Sequence, residues 1–204
     1  MKTLEMALVI QEAVILPGGR QEIRVVSPNQ LLMVASVLKG DYRLALAASK
    51  SSGKSSGKSS GKVNSSPPCY STATECEIID FHQLDDDSLS IVIEGRQRVK
   101  ILSAAQLRDG SWIARTLACQ NWQDEPIGEK FEIISAALEQ FYEVNPDLLE
   151  LYNQVHLEDA TWVSQRWLEV LPMYNKDKLQ LVEQPNCHKT MAFVLQLLKS
   201  HVDA

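Results

Sequence analysis

From Ser88 to Leu102 the chain alternates with period two. Leu89, Ile91, Ile93, Val99 and Ile101 fall at odd positions, and Ser90, Glu94, Arg96, Arg98 and Lys100 at even ones. Successive strand side chains point to opposite faces, so this spacing predicts one long strand with an apolar and a polar face. Gly95 sits in mid-run and Gln97 falls on the apolar side just after it. A glycine there marks a bulge or bend of the kind a small barrel needs at its corners. Glu75–Phe81 reads as the partner strand, with a turn at Asp85-Asp86-Asp87. Ser111–Cys119 reads as a third strand, joined across Asp109-Gly110.

Upstream, Ala7–Ile10 and Ala13–Leu16 are short apolar runs ended by Pro17-Gly18-Gly19. Arg20–Val26 predicts a strand. Ser27-Pro28 is an N-cap followed by a first-turn proline, and Gly40 closes that helix, with Leu31, Leu32, Val34, Ala35 and Leu38 as its apolar face. Tyr42–Ala48 predicts a buried strand. After Pro126 the period changes to three and four: Phe131, Ile134, Leu138 and Phe141 recur on one stripe. Further helices are expected from Asn145-Pro146, from Asp159 (Val163, Trp167, Val170 and Leu171 inward), from Asn175, and over Cys187–Val202. Strands first and helices afterwards predict an α+β fold, with strands in residues 1–126 and helices in 127–204.

The composition is that of a globular protein, 45% hydrophobic and 23% charged over 204 residues, with no run long enough to span a bilayer. The first residues carry Glu5 and Glu12, unlike a signal peptide, so a cytoplasmic protein without membrane contact is expected. Charge is uneven. Residues 1–62 hold nine Lys/Arg against four Asp/Glu, and the remainder eleven against twenty-two. An acidic body disfavours nucleic acid, which needs a basic footprint. Cys69, Cys76, Cys119 and Cys187 form no CxxC pair and no zinc spacing, so reduced packing thiols and no metal or other cofactor are expected. Cys187-His188 is not a nucleophile–base pair if both lie within one helix, where neighbours point about 100° apart.

Residues 49–68 interrupt this pattern. Ser-Ser-Gly-Lys occurs three times in succession, followed by Ser65-Ser66-Pro67-Pro68. Such a segment cannot bury apolar surface and is expected to be flexible. Gly57-Lys58-Ser59 imitates the end of a phosphate-binding loop, but position 52 is Ser where that motif requires its first glycine.

Three segments together resemble the N-terminal, substrate-binding domain family of Lon proteases. They are VILPGGRQEIR at Val14–Arg24, the Glu-Gly-x-x-Arg signature at Glu94–Arg98 within Ile93–Val99, and NKDKLQLVE at Asn175–Glu183. Order and spacing match across nearly the whole chain. The chain departs from the family pattern before Arg24, where the usual Pro-Leu is missing, at Ser27, at Tyr70-Ser71-Thr72 and in the insert. The resemblance implies a PUA-like β pseudo-barrel followed by a C-terminal helical segment, as in stand-alone bacterial Lon-domain proteins. It also implies recognition of polypeptide clients, or of a protease partner as an adaptor, without catalysis. No ATPase or peptidase constellation is present in the sequence. Related PUA-like barrels bind RNA, which is the alternative; Arg96, Arg98, Lys100 and the lysine-rich insert would carry it. If the signature contacts substrate, Arg24, Glu94, Arg96 and Arg98 are the side chains expected to do so. If it is structural, it braces a bulge, with a separate partner for each charge and Arg24 a candidate partner for Glu94.

Overall fold

The computed structural model describes residues 3–50, 67–86 and 88–202. Six strands are present among them: β1 (Thr3–Gln11), β2 (Arg20–Val25), β3 (Arg43–Ser49), β4 (Cys69–Gln83), β5 (Leu89–Gln106) and β6 (Trp112–Ala118). Their order is β2-β5-β4-β3-β1-β6, with an additional β5–β6 pairing that closes five of them into a ring and leaves β2 as an appended edge. β1 and β3 are parallel; the other pairings are antiparallel. The fold is α+β, a closed mixed sheet followed by helices.

β5 makes the closure possible. Its first half, Leu89–Glu94, pairs with β2, and its second half, Val99–Gln106, pairs with β6. The change of partner occurs across a register shift at Gly95–Gln97, where Cys76 faces Gly95 and Glu75 faces Gln97. The extra residue is Arg96. A bulge of this kind bends the strand and reverses the facing of the residues beyond it. The odd-numbered apolar residues therefore do not form one face. Ile91 and Ile93 enter a cluster with Val25, Leu44, Leu46 and Val34, whereas Val99 and Ile101 join Met6, Leu8, Ala45, Ala73 and Ala114. Nor is the other set a solvent face: Ser90, Glu94 and Arg98 are buried, and only Arg96 and Lys100 are exposed.

Helix α1 (Pro28–Lys39) forms where the capping signals place it. Ser27 and Gln30 make a reciprocal capping box, and Gly40 ends the helix in the left-handed region. Its apolar face differs from expectation. Val34 alone is fully buried, and Leu31, Leu32 and Leu38 are exposed. β4 is also longer than Glu75–Phe81, extending back to Cys69 to pair with β3. Most of the Ser-Ser-Gly-Lys insert lies outside the described residues. Its flanks are ordered, since Ser49 faces Cys69 and the Lys50 N–H donates to the Pro68 carbonyl at 3.0 Å.

A 3-10 turn (Glu129–Phe131) leads into α2 (Glu132–Val144), the single-turn α3 (Pro146–Leu149), α4 (Ala160–Val170), α5 (Asn175–Val182) and α6 (His188–Val202). Asp159 caps α4 by accepting from the Thr161 N–H at 2.8 Å. Every residue from Ala160 to Leu168 is buried, so α4 is covered all round rather than along the expected stripe. The helical core includes Ile134, Leu138, Val163, Leu168 and Val194, and it also takes in Val14, Leu16 and Ala48 from the strand segment. Each such aliphatic side chain contributes about 1.5–3 kcal/mol by leaving water. Val14-Ile15-Leu16 is not a strand but an extended link between cores, with Val14 and Leu16 in the helical cluster and Ile15 in the cluster beneath α1.

Candidate functional site

The Pro17-Gly18-Gly19 turn is where the two segments meet. Gly19 N–H donates to the Leu16 carbonyl at 2.9 Å and Gly18 has φ +72°, which makes Leu16–Gly19 a type II pattern with Pro in the second place. The turn clamps the β5 bend through two 2.8 Å bonds, Gly18 N–H to the Gly95 carbonyl and Gly95 N–H to the Gly19 carbonyl. A Cβ on Gly95 would stand 2.3 Å from the Leu16 carbonyl oxygen. Gly95 is therefore required by close approach rather than by a left-handed backbone, since its φ is not positive.

On its other side the turn meets two charges from α4. Arg166, wholly buried, pairs with Glu169 at 2.7 Å, donates to the Pro17 carbonyl at 3.0 Å and lies 5.3 Å from the centroid of Trp162. Glu169 accepts the Leu16 N–H at 2.6 Å. Burial raises the Glu169 carboxyl, opposed first by the Arg166 guanidinium. Sequence reading missed this pair, because a charged i, i+3 pair on an amphipathic helix ordinarily marks the solvated face.

The structure does not bring Arg24, Glu94, Arg96 and Arg98 together. Glu94 pairs with Arg20 at 2.8 Å and with Arg96, and Arg96 also pairs with Glu77 at 2.7 Å. Arg20, not Arg24, is the β2 residue facing Glu94, and it reaches on to the Leu151 carbonyl at 2.8 Å. Arg98 is buried. Its guanidinium donates to the Val182 and Gln120 carbonyls and lies 5.6 Å from the Trp122 ring centroid. Burial lowers its proton affinity, while nearby Cys119 and Glu183 act against this. Its bond to Val182 satisfies a carbonyl at the end of α5, where a cation is favoured. Glu94, through Arg20, and Arg98 directly thus tie the barrel to the helical segment. Of the cations an RNA reading would use, Arg98 is enclosed and Arg96 is neutralised.

Arg24 lies elsewhere. It faces Ser90 in the β2–β5 register, donates to Ser88 Oγ at 3.0 Å and pairs with Asp86. It lines an open groove of about 770 Å³ with Val25, Val26, Leu31, Phe81 and Leu89 among its walls. Val26 is 70% exposed, Leu31 51% and Phe81 63%. β2, the terminal strand of the sheet, ends here, and so does the β4–β5 hairpin. A cluster of large exposed side chains with one flanking ion pair is suited to apolar contact. Phe81 escaped notice in the sequence because it continues an alternating strand, and Leu31 because its spacing resembles a core stripe.

A third cluster joins distant segments. His188 Nε2 lies 2.8 Å and Cys187 Sγ 3.5 Å from the same oxygen, Glu125 Oε1. Cys187 precedes α6 instead of lying within it, which lets both side chains reach one carboxylate. Burial pushes the Cys187 thiol up to about 11. No helix among the described residues is long and apolar enough to cross a membrane.

Comparison with known proteins agrees with this architecture. The Lon N-terminal domain protein of Xanthomonas campestris is 18% identical and superposes with a TM-score of 0.68, over 94% of this chain and 97% of that one. The N-terminal domain of Mycobacterium avium complex Lon protease is 12% identical with a TM-score of 0.60, over 97% and 99%. No curated protein matches. The profile of the ATP-dependent protease La (LON) substrate-binding domain matches residues 6–200, and the chain belongs to that family.

Proposed function

We propose that the chain recognises polypeptide without acting on it chemically, and that its groove between β2, α1 and the β4–β5 hairpin receives an extended apolar segment of an unfolded client. The observation that carries this is the exposure of Val26, Leu31 and Phe81 around one concave surface. Membership of a substrate-binding domain family supports it. The terminal strand β2 offers backbone groups along which an extended segment can lie, and the apolar side chains offer alternate pockets, the usual division of labour in strand addition. Delivery of that client to a protease is the further role this reading implies.

The test is fluorescence anisotropy with a labelled, reduced and alkylated polypeptide that cannot fold. Binding is expected, and Phe81→Ser combined with Leu31→Ser should weaken it about tenfold, as the loss of two apolar anchors implies. Unchanged binding by a variant that melts like the parent would show that clients bind elsewhere.

A further inference from the structure

We infer that Glu125, Cys187 and His188 form a site for a thiophilic divalent cation of the Zn²⁺ class at the edge of the helical core, with Cys187 buried, Glu125 half-buried, His188 exposed and a fourth position left for solvent on the His188 side. Their ligand atoms all lie within 4.8 Å of one another. Around a tetrahedral zinc ion, donor atoms at about 2.0–2.3 Å from the metal stand roughly 3.2–3.7 Å apart. The Cys187 Sγ to Glu125 Oε1 distance, 3.5 Å, already lies in that range. The His188 Nε2 to Glu125 Oε1 distance, 2.8 Å, is a hydrogen bond that must open slightly for an ion to enter. The ring is free to make that move, since the His188 side chain is 63% exposed.

The donor set selects the metal. Thiolate and imidazole favour zinc over magnesium or calcium, which take oxygen ligands. Charge balances as well: one thiolate and one carboxylate neutralise a divalent ion. Cys187 is buried at the start of the fifteen-residue helix α6, so its proton is held in the free protein and the ion itself must displace it, as a coordinated thiol is deprotonated outright. On binding, the thiol proton leaves to solvent.

Position tells what the ion would do. Glu125 is 62 residues from Cys187 and 63 from His188. It lies in the segment that carries the chain from the barrel to the helices, next to Pro126, which bridges to Asp159 at the start of α4. A bound ion would fasten the beginning of α6 to that crossing and hold an open coordination position at the surface. The sequence conceals the site because Glu125 lies 62 residues before the adjacent Cys187-His188 pair.

The test uses the untagged full chain, freed of metal by a chelator and titrated with Co²⁺. One equivalent should produce a thiolate-to-cobalt charge-transfer band in the near ultraviolet, and Zn²⁺ should abolish it while raising the melting temperature. His188→Ala and Glu125→Gln alter partly exposed side chains and leave the core intact. Each should weaken binding by about a hundredfold or more, since even outer-shell partners are worth ten- to a hundredfold. Cys187→Ser should remove the charge-transfer band. If the parent shows no such band, or if His188→Ala or Glu125→Gln binds Co²⁺ as the parent does, the assignment is overturned. A band that survives Cys187→Ser overturns it equally.

Discussion

The seam between barrel and helices and the groove beside α1 are built by opposite rules. At the seam, charges are buried or half-buried and matched: Arg166 with Glu169, Arg20 with Glu94, Arg98 with the Val182 and Gln120 carbonyls. At the groove, apolar side chains are exposed and unmatched. A buried charge needs a partner to persist, so finding one satisfied indicates architecture. A large exposed apolar surface has no such internal explanation and is the kind of surface the proposed binding role requires. The Glu-Gly-x-x-Arg signature, which draws the eye in the sequence, belongs to the first kind of region. Val26, Leu31 and Phe81, whose spacing reads as ordinary strand and helix pattern, belong to the second.

This contrast can be broken by mutation, with the largest effects at the seam. Glu169→Ala should be the most damaging change. It strands the Arg166 guanidinium inside the protein and leaves the Leu16 N–H without its acceptor, and loss of one member of a buried pair costs about 3–5 kcal/mol. Chemical denaturation should register it as a lower midpoint with little change in slope. A loss below about 1 kcal/mol would mean that the pair is not enclosed as described.

Next comes Gly95→Ala. The added Cβ meets the Leu16 carbonyl, a backbone atom that cannot rotate away, so the Pro17-Gly18-Gly19 turn or the β5 bend must move. About 1–3 kcal/mol is expected, the usual cost of overpacking a filled site. The control is Gly110→Ala. That residue has no neighbour within 4 Å of an added Cβ, but its φ is +87°, so its cost is conformational alone, about 1 kcal/mol. Equal losses at the two sites would argue against the tight contact at Gly95.

The third test compares two arginines that looked alike in the sequence. Arg98→Met should cost about 2–3 kcal/mol, because it leaves the buried Val182 carbonyl and the part-buried Gln120 carbonyl without their charged donor. Arg24→Met removes an exposed pair with Asp86 and should cost under about 1 kcal/mol. Melting curves on both variants decide the matter, and a larger loss at Arg24 would invert the assignment of seam and groove.

How much the sequence disclosed depends on the range of each signal. Caps and turns are local, so α1, the Asp109-Gly110 turn and the α4 cap at Asp159 were legible, as was the bend at Gly95. Placement of charges was not. Whether Arg98 faces water or α5 depends on a contact 84 residues away, and the Cys187–Glu125 approach spans 62. The α1 face failed for the complementary reason. Leu31, Leu32 and Leu38 have the spacing of a buried stripe, but only Val34, with Met33 and Val37 beside it, reaches the cluster beneath the helix. Periodicity shows that a face is apolar; it does not show that anything covers it.

The smallest stability effect should lie in the groove, and that is what makes the groove informative. Phe81 and Leu31 are more than half exposed, so replacing both with Ser removes little buried area and should change stability by no more than about 0.5 kcal/mol each. Yet these two side chains stand on different elements, β4 and α1, and line the same concavity. A role in binding predicts that the double variant keeps its melting temperature while its affinity for an unfolded polypeptide falls. A role in folding predicts the reverse, a lower melting temperature and unchanged affinity per folded molecule. Measuring both quantities on one preparation separates them, and Arg98→Met is the matched control, expected to lose stability but to bind normally at a temperature where it remains folded.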